Sequence, residues 1–210
     1  MAEEGKFIVV EGIDGSGKTN LCKNIERELL SEGIKTFSTK EPTDLETGKI
    51  IKKILSANVL QNRFSQSALF LADRIEHLEH PKYGIKKHLK RGYVVVCDRY
   101  YYSSFAYQSL TMSLDWVMTI NLSCSRIIKP DLCIFLDTPP VICRERIFEK
   151  RKKIEVFERD IETMNEIREN YFRVFDILGK NENVLIVSKK MTEENEILQF
   201  VKKEILKIIV

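Results

Sequence analysis

Residues 12–19 read Gly-Ile-Asp-Gly-Ser-Gly-Lys-Thr and follow directly on the apolar run Phe7-Ile8-Val9-Val10. A Gly-x-x-x-x-Gly-Lys-Thr pattern between a short buried strand and a helix is a phosphate-binding loop. Gly12, Gly15 and Gly17 let the backbone curl so that successive N–H groups face phosphate oxygens. A helix opening near Lys18 adds its positive dipole end. Lys18 reaches the β- and γ-phosphates in such a loop, and the Thr19 hydroxyl ligates Mg²⁺. A chance glycine-rich turn would explain the glycines, but not the coincidence of strand, spacing, Lys-Thr and helix. The expected ligand is a nucleoside triphosphate.

Further chemistry lies downstream. Asp98-Arg99-Tyr100 follows a third apolar run. Asp98 at a strand end beside the loop could orient Mg²⁺ through water, and Arg99 offers a planar fork to a second phosphate. A local Asp-Arg ion pair, or a solvated turn, is the competing reading. Lys40, in Lys40-Glu41-Pro42-Thr43-Asp44, is either a phosphate contact or a solvated lysine. Phe70 and Arg74 are spaced i, i+4, on one helix face, and could stack a base and donate to its carbonyl edge. The alternative is a core Phe with a surface Arg. Gln108 could read a base edge and Tyr107 could crowd a ribose, or both could be ordinary helix residues. Arg144, Arg146, Lys150, Arg151, Lys152 and Lys153 form a basic cluster, most of it expected as a solvated helix face. One or two of its arginines, Arg151 first, could close over a transferring phosphoryl group and exclude water. His77, His80 and His88 show no ligand spacing and are expected at the surface.

The elements that must position these residues are readable from periodicity. Strands are expected at 6–11, 34–39, 93–97, 132–137 and 183–188. Amphipathic helical stretches are expected at 18–32, 46–57, 65–79, 156–178 and 193–208. Strand-helix alternation implies a parallel sheet covered on both faces, with ligands beyond the carboxyl ends of its strands. At 210 residues the chain suits one α/β domain, 1–210. A net charge of +3 carries no broad nucleic-acid footprint. No apolar stretch approaches the roughly 20 residues of a membrane helix. The N-terminus is not that of a signal peptide, and a cytoplasmic location is expected. The five cysteines, odd in number and without Cys-x-x-Cys spacing, are expected to be reduced, with neither metal nor disulfides.

Taken together, Val10-Glu11-Gly12-Ile13-Asp14-Gly15-Ser16-Gly17-Lys18-Thr19, Glu41-Pro42-Thr43, Leu69-Phe70-Leu71-Ala72-Asp73-Arg74, Asp98-Arg99-Tyr100-Tyr101-Tyr102-Ser103-Ser104, Ala106-Tyr107-Gln108 and Lys129-Pro130-Asp131-Leu132 resemble thymidylate kinases. The order and spacing agree from about residue 6 to 205, and the segments after the phosphate loop are the more specific ones. The resemblance implies an α/β, P-loop NTPase-type three-layer fold, with a five-stranded parallel sheet flanked by helices and a short basic lid at about 144–156. It implies phosphorylation of dTMP to dTDP with ATP and Mg²⁺, usually by a homodimer, without nucleic-acid or membrane partners.

By matching positions, residues 12–19 (Gly12, Ile13, Asp14, Gly15, Ser16, Gly17, Lys18 and Thr19) would hold the ATP phosphates, and Thr19 and Asp98 the metal. Asp14 would meet the deoxyribose 3′-hydroxyl. Phe70 would stack on thymine and Arg74 would bond its O4 edge. Arg99 would grip the dTMP phosphate, with Lys40 and Ser103 in the same acceptor site. Tyr107 would sit under the sugar and Gln108 near the base. Arg146 would lie against adenine, and Arg151 would belong to the lid. Some relatives carry an arginine inside the loop, directly after the Asp. Here that position is Gly15, so the charge must come from elsewhere. Competing readings are a kinase for another nucleotide or a deoxynucleoside, and a nucleotide-dependent regulatory binding module.

Overall fold

The structure, a computed structural model, describes residues 4–57, 62–150, 160–179, 181–188 and 194–209. Five strands form one wholly parallel sheet: β1 (Phe7–Glu11), β2 (Thr36–Lys40), β3 (Val94–Asp98), β4 (Leu132–Asp137) and β5 (Val184–Ser188), in the order β2-β3-β1-β4-β5. The register sets Val10 beside Asp98 and Ile134, and Lys40 beside Asp98. The chemistry-bearing strand ends therefore lie side by side along one edge.

Helices cover both faces. They are α1 (Lys18–Ser31), α2 (Glu46–Ala57), α3 (Arg63–Glu79), α4 (Ile85–Leu89), α5 (Tyr101–Gln108), α6 (Leu114–Leu122), α7 (Pro140–Lys150), α8 (Ile161–Leu178) and α9 (Glu194–Ile209). Strand alternation divides the buried apolar residues between two cores. Ile8, Val10, Val94, Val96 and Ile134 pack with Leu21, Ile25 and Leu29 of α1 and Leu198, Val201 and Ile205 of α9. Val9, Val95, Cys97, Cys133 and Phe135 pack with Tyr101 and Phe105 of α5 and Ile167, Tyr171 and Phe175 of α8. All five cysteines are free, with Cys124 half-buried and the others buried. Among the described residues no helix is long and apolar enough to cross a membrane.

The five expected strands all form. β2 begins at Thr36, two residues later than its apolar pattern indicates, because the Ile34 N–H is spent on Leu29 O (3.0 Å) closing the end of α1. α3 begins at Arg63 rather than residue 65, since the Asn62 side chain accepts from the Phe64 and Ser65 N–H groups at 3.0 and 3.3 Å. α8 begins at Ile161, capped by Asp160. The earlier part of the expected 156–178 helix, residues 156–159, lies outside the described residues. The short helices α4, α5 and α6 carry too few periodic positions to stand out in the sequence.

Phe135 is buried in β4 with its ring 4.8 Å from that of Tyr171 and 5.1 Å from that of Phe175. Phe135→Ala should cost about 3–5 kcal/mol, the range for emptying an aromatic site in a packed core. Urea unfolding would read this as a lowered midpoint at an unchanged slope.

Candidate active site

β1 delivers the chain into the phosphate loop, where Gly12, Gly15 and Gly17 have φ of 150°, 79° and 103°. The loop is also hemmed in. A Cβ on Gly15 would lie 2.3 Å from the carbonyl oxygen of Cys143 in α7, a contact no side chain can make. α1 starts at Lys18 after a left-handed Gly17, and no side chain caps it. Its first N–H groups are thus left for an anion. Lys18 is buried and donates to Ile13 O at 2.8 Å. Burial, and next the nearby Arg99 charge, lower its pKa, while Asp14, Asp98 and Glu11 oppose the shift.

Thr19 Oγ1 donates to Asp98 Oδ2 at 2.6 Å. The other Asp98 oxygen, Oδ1, is buried without a hydrogen-bond partner among the described residues, and so is Ser16 Oγ. A buried carboxylate oxygen left over beside a threonine hydroxyl suits a hard divalent cation, directly or through water, and a spare serine hydroxyl in a glycine loop suits a phosphate oxygen. The residues present therefore fit Mg²⁺ and a polyphosphate. A cavity of about 340 Å³ runs along the loop, walled by Lys18, Thr19, Asp98, Lys40 and Arg146. Arg146 Nη1 lies 3.4 Å from Ser16 O. Lys40 is exposed and 3.7 Å from Asp44, and it stands at the wall of the phosphate-loop cavity.

Arg99 stands just past β3 with φ 73°, a left-handed conformation that a non-glycine residue adopts at a cost of roughly 1–3 kcal/mol. Its neighbours hold it there through Glu11, which is fully buried at the end of β1. Glu11 Oε1 accepts from Tyr100 N (2.7 Å) and Ser103 N (3.2 Å), and Oε2 from Ser103 Oγ (2.7 Å) and Tyr171 OH (2.8 Å). Burial raises the Glu11 carboxyl above its ordinary range, against Arg99 and these hydrogen bonds. The Arg99 fork donates from Nη2 to Asp14 Oδ1 (2.6 Å) and Tyr107 OH (3.2 Å), and from Nη1 to Ser103 Oγ (2.9 Å). Tyr107 OH donates to Asp14 Oδ2 at 2.9 Å. Burial would push the Asp14 carboxyl up, but the Arg99 and Lys18 charges overcome it and hold it well below the usual carboxylate range.

A second cavity, about 410 Å³, opens on the other side of Arg99, lined by Phe70, Arg74, Ser104, Tyr107 and Gln108. The expected alternative of a core Phe with a surface Arg is reversed. Phe70 is half-buried and lines the cavity, while Arg74 is buried at 1% exposure. Arg74 Nη2 is 2.8 Å from Glu41 Oε2, Nε donates to the same oxygen at 2.9 Å, and Nη1 donates to Asn121 Oδ1. Its guanidinium lies 5.2 Å from the Tyr100 ring centroid. Of the histidines expected at the surface, His77 departs from that expectation, while His80 and His88 are partly exposed. His77 is buried, with Nδ1 3.2 Å from Glu41 Oε1 and Nε2 2.7 Å from Thr39 Oγ1. His88 stacks on Phe37 at 3.8 Å, and His80 Nδ1 accepts from the Lys82 and Tyr83 N–H groups.

Arg99, Asp14, Ser103 and Tyr107 are thus joined by hydrogen bonds and Thr19 is joined to Asp98, Lys18 lines the same cavity as Asp14, Thr19, Asp98 and Arg99, and Phe70, Arg74 and Gln108 lie in the adjoining one. Arg151, and the lid beyond residue 150, lie outside the described residues. Sequence reasoning assigned no role to Glu11, Glu41 or Tyr171. An acid inside the apolar run Phe7–Glu11 was the available signal for the first. Tyr171 carries none, since an inward tyrosine of an amphipathic helix reads as core.

The family model for thymidylate kinase matches residues 10–198. A probable thymidylate kinase of Pyrococcus horikoshii is 38% identical over 208 residues, covering 96% of this chain and 98% of the relative. The probable thymidylate kinase of Pyrococcus abyssi is 37% identical over 208 residues at the same coverage. A thymidylate kinase of Leptospira borgpetersenii is 39% identical over 173 residues, 82% of each chain.

Two outcomes are expected from the site's charges. Glu41→Ala leaves Arg74 buried without its carboxylate and should cost about 3–5 kcal/mol in chemical denaturation. Asp14 has a folded-state pKa below its ordinary value of 3.8, so its contribution to stability is present above that pH and lost as the pH falls below it. Asp14→Asn should therefore flatten the acid limb of the stability-versus-pH curve; an unchanged limb would show that the pair contributes nothing to folding.

Proposed function

The chain belongs to the thymidylate kinase family, and on that premise we propose that it transfers the γ-phosphoryl group of ATP directly to dTMP, giving dTDP and ADP. One observation carries the reading. The phosphate-loop cavity and the Phe70–Arg74 cavity meet, sharing Asp14, Glu41 and Arg99 in their walls. A nucleotide in each would bring two phosphates together at that wall.

The loop N–H groups from Gly12 to Thr19, with Lys18, bind the ATP phosphates, and Arg146 lies against adenine. Arg99 grips the dTMP phosphate, supported by Ser103, with Lys40 at the edge of the same cavity. Phe70 stacks on thymine, while Arg74 and Gln108 meet its polar edge. Tyr107 lies under the sugar, where a 2′-hydroxyl would be crowded, and Asp14 approaches the 3′-hydroxyl. Thr19 and Asp98 hold Mg²⁺, which when bound neutralises charge on the triphosphate. Catalysis is positioning plus neutralisation of two anions, so no covalent enzyme intermediate is needed.

The close approach of Gly15 to Cys143 supports a division of labour. An arginine cannot stand in the loop at position 15, so a basic lid at about 144–156, with Arg151 as its catalytic arginine, covers the transferring group. The same reading makes residues 1–210 one kinase domain acting in the cytoplasm as a homodimer. Half-exposed Phe64, packed edge-on to Trp116 at 4.9 Å, is the kind of apolar surface a second subunit would cover.

Lys18→Ala and Arg99→Ala should each lower kcat by about two orders of magnitude, the scale of losing a preorganised charge contact. A loss of only a few-fold would sink the assignment of that residue. Release of ADP with dTMP, dUMP, dCMP, AMP, dGMP and thymidine as acceptors tests the substrate. The expected result is the highest kcat/KM with dTMP, and a different winner would point to a kinase for another nucleotide or nucleoside.

A further inference from the structure

The turn that carries the chain from β4 into α7 is gripped from α8. The Thr138 N–H donates to Leu136 O at 3.0 Å, so the chain leaves the sheet in a three-residue turn centred on Asp137. Both Asp137 oxygens are taken by one side chain: Arg168 Nε donates to Oδ1 at 2.5 Å and Nη2 to Oδ2 at 2.9 Å. A guanidinium fork that holds a carboxylate by both oxygens fixes its plane as well as its distance. The fork is itself backed by an aromatic ring, with the guanidinium 5.0 Å from the centroid of Phe172. Phe172 in turn meets Phe135 of β4 edge-on at 5.6 Å.

What the turn sets is the seat of α7 on the phosphate loop. Thr138, buried beside Asp137, donates from Oγ1 to Ser16 O at 3.2 Å. On α7, Arg146 Nη1 lies 3.5 Å from Gly15 O and 3.4 Å from Ser16 O. Arg146 and Ile147 stand in the wall of the phosphate-loop cavity, and Asp137 and Arg168 do not. One turn further along α8, the same helix serves the acceptor side. Tyr171 OH donates to Glu11 Oε2 at 2.8 Å, and Glu11 holds Ser103. The donor and acceptor sides thus hang on different residues of α8, and a substitution can separate them.

We propose that Arg168 is a positioning residue for the donor nucleotide: its grip on Asp137 fixes the turn after β4, and through that turn the seat of α7 and Arg146 on the phosphate loop. This deepens the kinase reading and rests on its ATP half alone.

The test is steady-state kinetics with ATP and dTMP on the full chain, alongside calorimetric binding of Mg²⁺–ATP without acceptor. Arg168→Ala should raise the KM and the dissociation constant for ATP roughly tenfold, the scale of one hydrogen bond to a charged group. KM for dTMP should stay within about twofold, because Tyr171 and Glu11 are untouched. Asp137→Asn keeps the shape but not the charged fork. It should raise the ATP values in the same direction, and it supplies the answer should Arg168→Ala fold poorly. The two changes combined should cost no more than Arg168→Ala alone.

ATP affinity restored in the double variant overturns the proposal, since Arg168 would then only neutralise a carboxylate near the phosphates. So does a rise in both KM values with a lowered melting temperature, which is a loosened α8. ATP affinity unmoved in both single variants overturns it as well. A wild-type enzyme that binds ATP but turns over another acceptor overturns the dTMP reading alone, and the calorimetric measurement still decides the role of Arg168.

Discussion

A carboxylate sealed from water at the end of the central strand holds this site together. Glu11 accepts four hydrogen bonds, from Tyr100, Ser103 (twice) and Tyr171. These partners come from the turn after β3, from α5 and from α8, so one side chain ties three elements to the root of the phosphate loop. A buried carboxylate is costly unless its oxygens are satisfied, and here each accepts two hydrogens. The arrangement holds only if the chain passes through a left-handed residue between Asp98 and Tyr100. That residue is Arg99, so the conformational strain sits on the group whose direction matters most.

The charges around Arg99 form a balanced set in which each member depends on the others. Lys18 and Arg99 repel, and burial penalises both. Asp14 interacts with both and holds its proton off far below its ordinary value. An anion entering the cleft would meet cations already desolvated and aimed, with little reorganisation left to do. Arg74 repeats the logic one pocket away. Glu41 neutralises it, His77 braces Glu41, and the fork can then face a base without being an isolated buried charge.

Much of this was legible in the sequence, for physical reasons. A parallel strand buried on both faces must be a nearly continuous apolar run, as β1, β3 and β4 are; β2, which reads Thr-Phe-Ser-Thr-Lys at one edge of the sheet, is no such run. The loop declared itself because glycines at positive φ, a lysine and a threonine must occur at fixed spacing. Phe70 with Arg74, and Tyr107 with Gln108, were visible as pairs, but their surroundings were not. Whether an arginine on an amphipathic helix points out or in depends on partners distant in the chain; Arg74 is buried because Glu41, Asn121 and Ser104 converge on it from three other segments. His77 is hidden for the same reason. Periodicity reports which face of an element is apolar, and is silent about polar groups that satisfy one another inside.

Gly15 shows how a backbone contact can restrict the chemistry. Its positive φ alone would tolerate an asparagine at modest cost. The Cys143 carbonyl removes that tolerance, because any Cβ at this point would have to displace the backbone of α7. α7 cannot retreat freely, since Cys143 and Ile147 are buried in the core and Thr138, just before it, donates to Ser16 O at 3.2 Å. Packing the helix onto the loop holds the loop's shape and excludes a loop arginine in the same stroke. Arg144 and Arg146 lie on α7, outside the loop, and the sequence continues from there into Arg151-Lys152-Lys153.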